Sequence, residues 1–96
     1  MKCRLTPRAT SDLEGIGDYL ADRNPRAALA MMDVFAGRWS QLAHHPHSGP
    51  PRDDLGTGIR CLVIGQYLAF YRIAPDEVTI LRVLHGKREI GAEEFG

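Results

Sequence analysis

Three arginines stand inside otherwise apolar runs of strand length. Arg60 opens Arg60–Ile64, Arg72 closes in on the end of Tyr67–Ile73, and Arg82 lies within Val78–Leu84. A guanidinium in such a setting needs water, a paired acid or a ligand, because burying it alone is very costly. Three of them on consecutive runs point to a sheet face that meets a partner. The last run leads straight into His85-Gly-Lys-Arg88, a compact polar cluster placed to touch something outside the domain. Together with Tyr71, which falls between Arg60 and Arg82 once the runs are paired, the candidate binding set is Arg60, Tyr71, Arg82, His85, Lys87 and Arg88.

His85 is the candidate for general acid–base chemistry, since imidazole titrates near neutrality. No acid or nucleophile stands beside it in sequence, so capping the last strand is the competing role. His44, His45 and His47 are crowded, but the first two diverge at a helix end and no cysteine or acid pair supports them, so no metal site is expected. Cys3 and Cys61 have no chelating spacing and read as small buried hydrophobes. No glycine-rich phosphate loop, nucleophile elbow or zincin pattern occurs, and no cofactor is expected.

The 96 residues make one domain, 1–96, with 44% hydrophobic and 25% charged residues, the proportions of an ordinary globular chain. Formal charge is zero, and balanced in both halves: residues 1–59 hold seven Lys/Arg and seven Asp/Glu, residues 60–96 five and five. A protein that grips phosphates carries a basic excess, so strong direct nucleic-acid binding is not expected. There is no apolar run of about 18 residues and no apolar signal-peptide core at Met1–Pro7, so a cytoplasmic location without membrane contact is expected.

The elements that must position these residues can be read in order. Lys2–Thr6 alternates as a short strand. Thr6-Pro7 caps and starts a helix whose stripe is Leu13, Ile16 and Leu20, with Asp12, Glu14, Asp18 and Asp22 off it, toward solvent or a basic partner. Asn24-Pro25 repeats the device for a second helix with the stripe Ala28, Met31, Met32, Phe35, Trp39 and Leu42, so the two helices form an antiparallel hairpin. A loop beginning near His44 runs to about Ile59. Three strands follow, turning at Gly65-Gln66 and Pro75-Asp76. The polar tail from Lys87 to Gly96 carries Ile90 and Phe95, spaced to pack back on the body. The fold class is α+β: an N-terminal strand, a helix hairpin, then a three-stranded, mostly antiparallel sheet and a short tail.

With those turns, residue 60 opposes 71 and residue 69 opposes 82, and opposed residues share a face. One face then holds Cys61, Val63, Leu68, Phe70, Leu81 and Val83 and is expected beneath the helices, with Arg72 on the same side. The other holds Arg60, Leu62, Ile64, Tyr67, Ala69, Tyr71, Ile73, Val78, Ile80, Arg82 and Leu84. Apolar surface with embedded Arg and Tyr has the composition of an interface.

The ordered set Leu5-Thr-Pro-Arg-Ala9, Asp12-Leu13, Ile16, Tyr19, Asn24-Pro-Arg-Ala-Ala28, His45-Pro-His-Ser-Gly49, Gly58-Ile-Arg60, Tyr67, Phe70-Tyr-Arg72 and Val78–Arg88 resembles the RelE/ParE superfamily of bacterial toxins, most of all its ParE branch. The resemblance implies the toxin half of a type II toxin–antitoxin (plasmid-stabilisation) pair, bound and neutralised by a cognate ParD-like antitoxin in a hetero-oligomer. Characterised ParE toxins act on DNA gyrase, whereas RelE toxins cut messenger RNA on the ribosome. Arg60 and Arg82 sit where RelE-type nucleases carry catalytic arginines, so a nuclease of this kind would use Arg60, Arg82 and His85. Those nucleases also carry lysines before the second strand, or an acid–histidine pair, and a tyrosine in the tail. Here Arg52 is the only Lys or Arg between Trp39 and Arg60, and no tyrosine follows Tyr71. The resemblance therefore favours a gyrase inhibitor over an enzyme, with a ribosome-dependent endoribonuclease and an inactive antitoxin-binding module as the alternatives.

Overall fold

The structure, a computed structural model, describes residues 1–95. The chain runs β1 (Lys2–Leu5), α1 (Pro7–Arg23), α2 (Pro25–His44), a 3-10 turn at Pro46–Ser48, β2 (Arg60–Ile64), β3 (Tyr67–Ile73), β4 (Glu77–His85) and a 3-10 turn at Ala92–Glu94. The α+β arrangement is as expected, and the N-terminal strand joins the three later ones in a single sheet ordered β1-β4-β3-β2. β1 runs parallel to β4, and the other pairs are antiparallel. The tail reading is followed as far as Phe95, since Gly96 lies outside the described residues.

Both helix starts form as the sequence dictates. Thr6 Oγ1 accepts from the Ala9 N–H at 3.1 Å, and Pro7 fills the first helical position, where its missing N–H is no loss. The same hydroxyl donates to Leu81 O at 3.0 Å and so pins the start of α1 to β4. Asn24 closes α1 through its own N–H to Leu20 O and opens α2 by accepting from the Arg26 and Ala27 N–H groups. One residue serving both ends makes the joint tight and the hairpin antiparallel.

The expected registers hold near the turns: Arg60 opposes Tyr71, and Arg72 opposes Thr79. A bulge between Phe70 and Tyr71 then shifts β4 by one residue, so that Ala69 opposes Val83 rather than Arg82. The sheet also presents its faces the other way round from the sequence expectation. The helices cover Leu62, Ile64, Tyr67, Ala69, Tyr71, Val78 and Ile80, joined past the bulge by Val83, in a core shared with Ala9, Phe35 and Leu42. Cys61, Phe70 and Leu84 face away, and Leu55, Ile59, Ile90 and Phe95 close over them as a second cluster. Val63, expected beneath the helices, is 60% exposed. The set with more large apolar members takes the helix side, where it forms the larger buried cluster. Its polar members are satisfied at the margin, as the site geometry shows.

Candidate functional site

Tyr71 is fully buried, and its hydroxyl donates to Pro46 O at 2.6 Å while accepting from the Gly49 N–H at 2.9 Å. Arg60, half-buried on the paired strand, donates through Nε to Gly49 O at 2.6 Å. Both therefore clamp the loop leaving α2, and neither belongs to an open sheet face. Gly49 makes the close approach possible: a Cβ there would lie 2.5 Å from Cys61 O. Arg72 points to the face away from the helices, the opposite of its expected side, and donates to Thr57 O at 3.0 Å.

Arg82 is only 8% exposed. It lies one residue past Leu81, where the short β1 has already ended, so its side chain can turn toward α1. Its Nε donates to Asp12 Oδ2 at 2.7 Å and its Nη2 to Asp12 Oδ1 at 2.9 Å, a bidentate fork. Its Nη1 donates to Glu94 Oε2 at 2.8 Å. The hydrogen bond to Asp12 is the main cause that pushes the guanidinium pKa up; burial opposes it, and the charges of Asp12 and Glu94 add to the rise. Asp12 Oδ2 also accepts the Val83 N–H at 3.0 Å, so this acid ties α1 to β4 through side chain and backbone alike. Arg88 donates to Glu94 Oε1, and Arg8 donates to the Glu94 carbonyl at 2.9 Å.

His85 sits at the end of β4 with its ring edge-on to Tyr67 at 5.5 Å. Its Nδ1 accepts the Lys87 N–H at 3.1 Å, which in the neutral ring places the proton on Nε2, facing Gln66 Oε1 at 3.3 Å. Lys87 and Arg88 are exposed beside it. His44 Nδ1 lies 2.9 Å from Ser40 O, the carbonyl one turn back. Among the described residues no helix is long and apolar enough to cross a membrane.

The structure thus brings His85, Lys87 and Arg88 to one accessible corner and sets Arg60 and Tyr71 apart under the loop. Arg82 lies between, buried. Behind the corner runs a groove of about 520 Å³ between α1 and the ends of β3 and β4, with Ile16, Tyr19, Leu20 and Tyr67 in its apolar lining and Asp12, His85 and Arg88 among its polar residues. Sequence reasoning passed over Asp12 and Glu94 as site residues. The available cue was that Arg82 needs water, an acid or a ligand, but nothing local says which of these it finds or which acid is within reach.

The sequence profile of the ParE toxin of the type II toxin–antitoxin system parDE matches residues 3–90. The chain is similar to the toxin ParE1 of Caulobacter vibrioides, 34% identical over 85% of each chain. It is equally similar to the toxin RelE3 of the same organism, 34% identical over 84% of this chain and 89% of that one. Among solved structures it resembles a chain of the chromosomal ParDE system of P. aeruginosa, with TM-score 0.76, 25% identity, and 88% and 95% of the two chains covered. It also resembles a chain of the RelBE2 toxin–antitoxin complex of Mycobacterium tuberculosis, with TM-score 0.62, 29% identity and the same coverage.

Proposed function

The chain belongs to the ParE toxin family of type II toxin–antitoxin systems, and from that premise we propose that it arrests growth by binding DNA gyrase in the cytoplasm rather than by cutting RNA. The observation that carries this reading is the commitment of Arg82 to Asp12 and Glu94. A nuclease needs its arginines facing a phosphate, and this one faces two carboxylates. Arg60 is likewise engaged with a backbone carbonyl, and both nitrogens of His85 have partners within the chain. In this reading His85, Lys87 and Arg88 form the contact surface for the target, while Arg60, Tyr71 and Arg82 hold its scaffold. A ParD-like antitoxin neutralises the toxin by laying an amphipathic segment in the groove beside α1, giving a hetero-oligomer. The solved neighbours from toxin–antitoxin systems support such a partner.

Similarity to the Caulobacter toxin RelE3, as great as that to ParE1, favours a second reading as a ribosome-dependent mRNA endoribonuclease. The two are separated by assaying purified toxin on gyrase supercoiling and on ribosome-bound message side by side. Stalled supercoiling with intact message is the expected result. Rapid cleavage of message with supercoiling untouched would replace the first reading by the second.

A further inference from the structure

The second helix has two unlike sides. Ala28, Phe35 and Leu42 are buried, while the opposite side, along Arg26, Leu29, Ala30, Asp33, Val34 and Gly37, lies open. Leu29 is 70% exposed, the most open large apolar side chain among the described residues, and Val34 is exposed one turn further on. The same side is poor in charge. α1 exposes Arg8, Glu14, Asp18, Asp22 and Arg23, whereas the longer α2 exposes, of its Lys, Arg, Asp and Glu residues, only Arg26 and Asp33. A patch that has lost charge from its middle and kept apolar side chains there differs from ordinary surface in the way an interface core does. Gly37 belongs to the same account. A glycine within a helix weakens it relative to alanine, and no atom lies within 4 Å of where its Cβ would stand, so the chain's own packing does not call for it.

The two charges show what this side pairs with. Arg26 and Asp33 stand seven residues apart, close to two full turns, and so project in the same direction. Among the described residues neither makes an ion pair, and neither has an opposite charge three or four places away on α2. We propose that this side of α2 binds the same side of a second copy of the chain, with the two helices antiparallel about a two-fold axis passing between Leu29 and Ala30. About that axis Arg26 of each copy faces Asp33 of the other, and Leu29 of each packs on Ala30 of the other at the middle of the contact. The surface is thus complementary to itself, as a two-fold contact requires. A parallel pairing would set arginine against arginine and aspartate against aspartate, and would align the helix dipoles instead of opposing them. The contact leaves the groove beside α1 and the corner at His85 uncovered, so it is independent of which target the toxin has. One helix pair covers less than the roughly 1,200 Å² of a standard interface, so the dimer is a weak and reversible one, with Kd on the order of 10–100 µM.

The test is sedimentation of the purified chain from about 5 to about 500 µM. A monomer–dimer equilibrium in that range is expected, and Leu29→Lys should weaken it at least about tenfold, because it brings two ammonium groups to the centre of the contact. Arg26→Asp and Asp33→Arg, each alone, should also weaken it about tenfold, since the two-fold axis doubles every change and sets like charges opposite at both ends. The double variant Arg26→Asp/Asp33→Arg restores opposite charges across the axis and should dimerise within about threefold of the unaltered chain. All four positions are exposed or made so by design, and circular dichroism should show each variant folded as the parent. A chain that stays monomeric at about 500 µM would overturn the proposal. So would a dimer that Leu29→Lys leaves untouched, which would place the contact elsewhere, and so would a double variant no better than its two single parents, which would rule out the antiparallel pairing.

Discussion

Arg82 is the side chain on which most of the candidate site turns, and its removal should act on the fold first. Arg82→Met strands Asp12, whose side chain is 14% exposed, without its partner, and should cost about 2–4 kcal/mol. For a domain this size that is a fall in Tm of roughly ten degrees or more, readable by thermal melts. Tyr71→Phe removes a hydroxyl that both donates and accepts inside the protein, leaving a carbonyl and an N–H short of a partner, and should cost about 1–3 kcal/mol in urea unfolding. Burial pushes the Cys61 and Cys3 thiols above their ordinary value of 9.0. The unfolded chain then ionises first as pH rises, so the thiols' contribution is fully present below about pH 9 and is lost above it. A Cys3→Ala/Cys61→Ala chain should show a shallower alkaline loss of stability than the parent; identical slopes would disprove it. That Arg82 needs water, an acid or a ligand was legible in the sequence, where its run read as part of a face meeting an outside partner. That the acids are Asp12 and Glu94 was not, since they stand 70 and 12 residues away and only the folded sheet brings them in.

At the scale of elements, the local chemistry was readable and the side of the sheet was not. Thr6-Pro7 and Asn24-Pro25 state their helix starts within four residues, and both form as written. Thr6→Val keeps the shape but loses the cap and the tie to Leu81, and should cost about 1–2 kcal/mol. The strand pairs followed from their turns as far as Tyr71, where the bulge takes over. A bulge leaves little trace in an apolar run, so the position of Val83 and Arg82 could not be read from spacing. The reversal of faces has a different cause. Arg60 and Tyr71 look like surface residues by type, yet the loop at Pro46–Gly49 supplies the carbonyls that let them sit at the margin of the core. Gly49→Ala tests that packing: its Cβ would meet Cys61 O, and a destabilisation of about 1–3 kcal/mol or more is expected in denaturant melts.

For the molecule as a whole, the family was legible because its marks are spread along nearly the entire chain, while the target was not, since the chain is as similar to a toxin named RelE as to one named ParE. Toxicity of variants separates the roles. His85→Gln should remain toxic in growth-arrest assays, and Arg88→Ala, with its fold intact by circular dichroism, should be weakened; a dead His85→Gln beside a fully toxic Arg88→Ala would point to acid–base chemistry instead. Antitoxin at about 1,000 times its Kd should add about 4 kcal/mol to the apparent stability of the toxin, seen as a raised melting temperature. The pairing of β1 with β4 has one more consequence, in time rather than in space. The first strand of the domain closes against its fourth, from Lys2 opposite Glu77 to Leu5 opposite Ile80. A nascent chain can wind its helix hairpin early, but that hairpin has no complete sheet to lie on until β4 has left the ribosome. The groove, the polar corner and the Arg82 clasp all draw on β4, so none of them is assembled before that strand is in place.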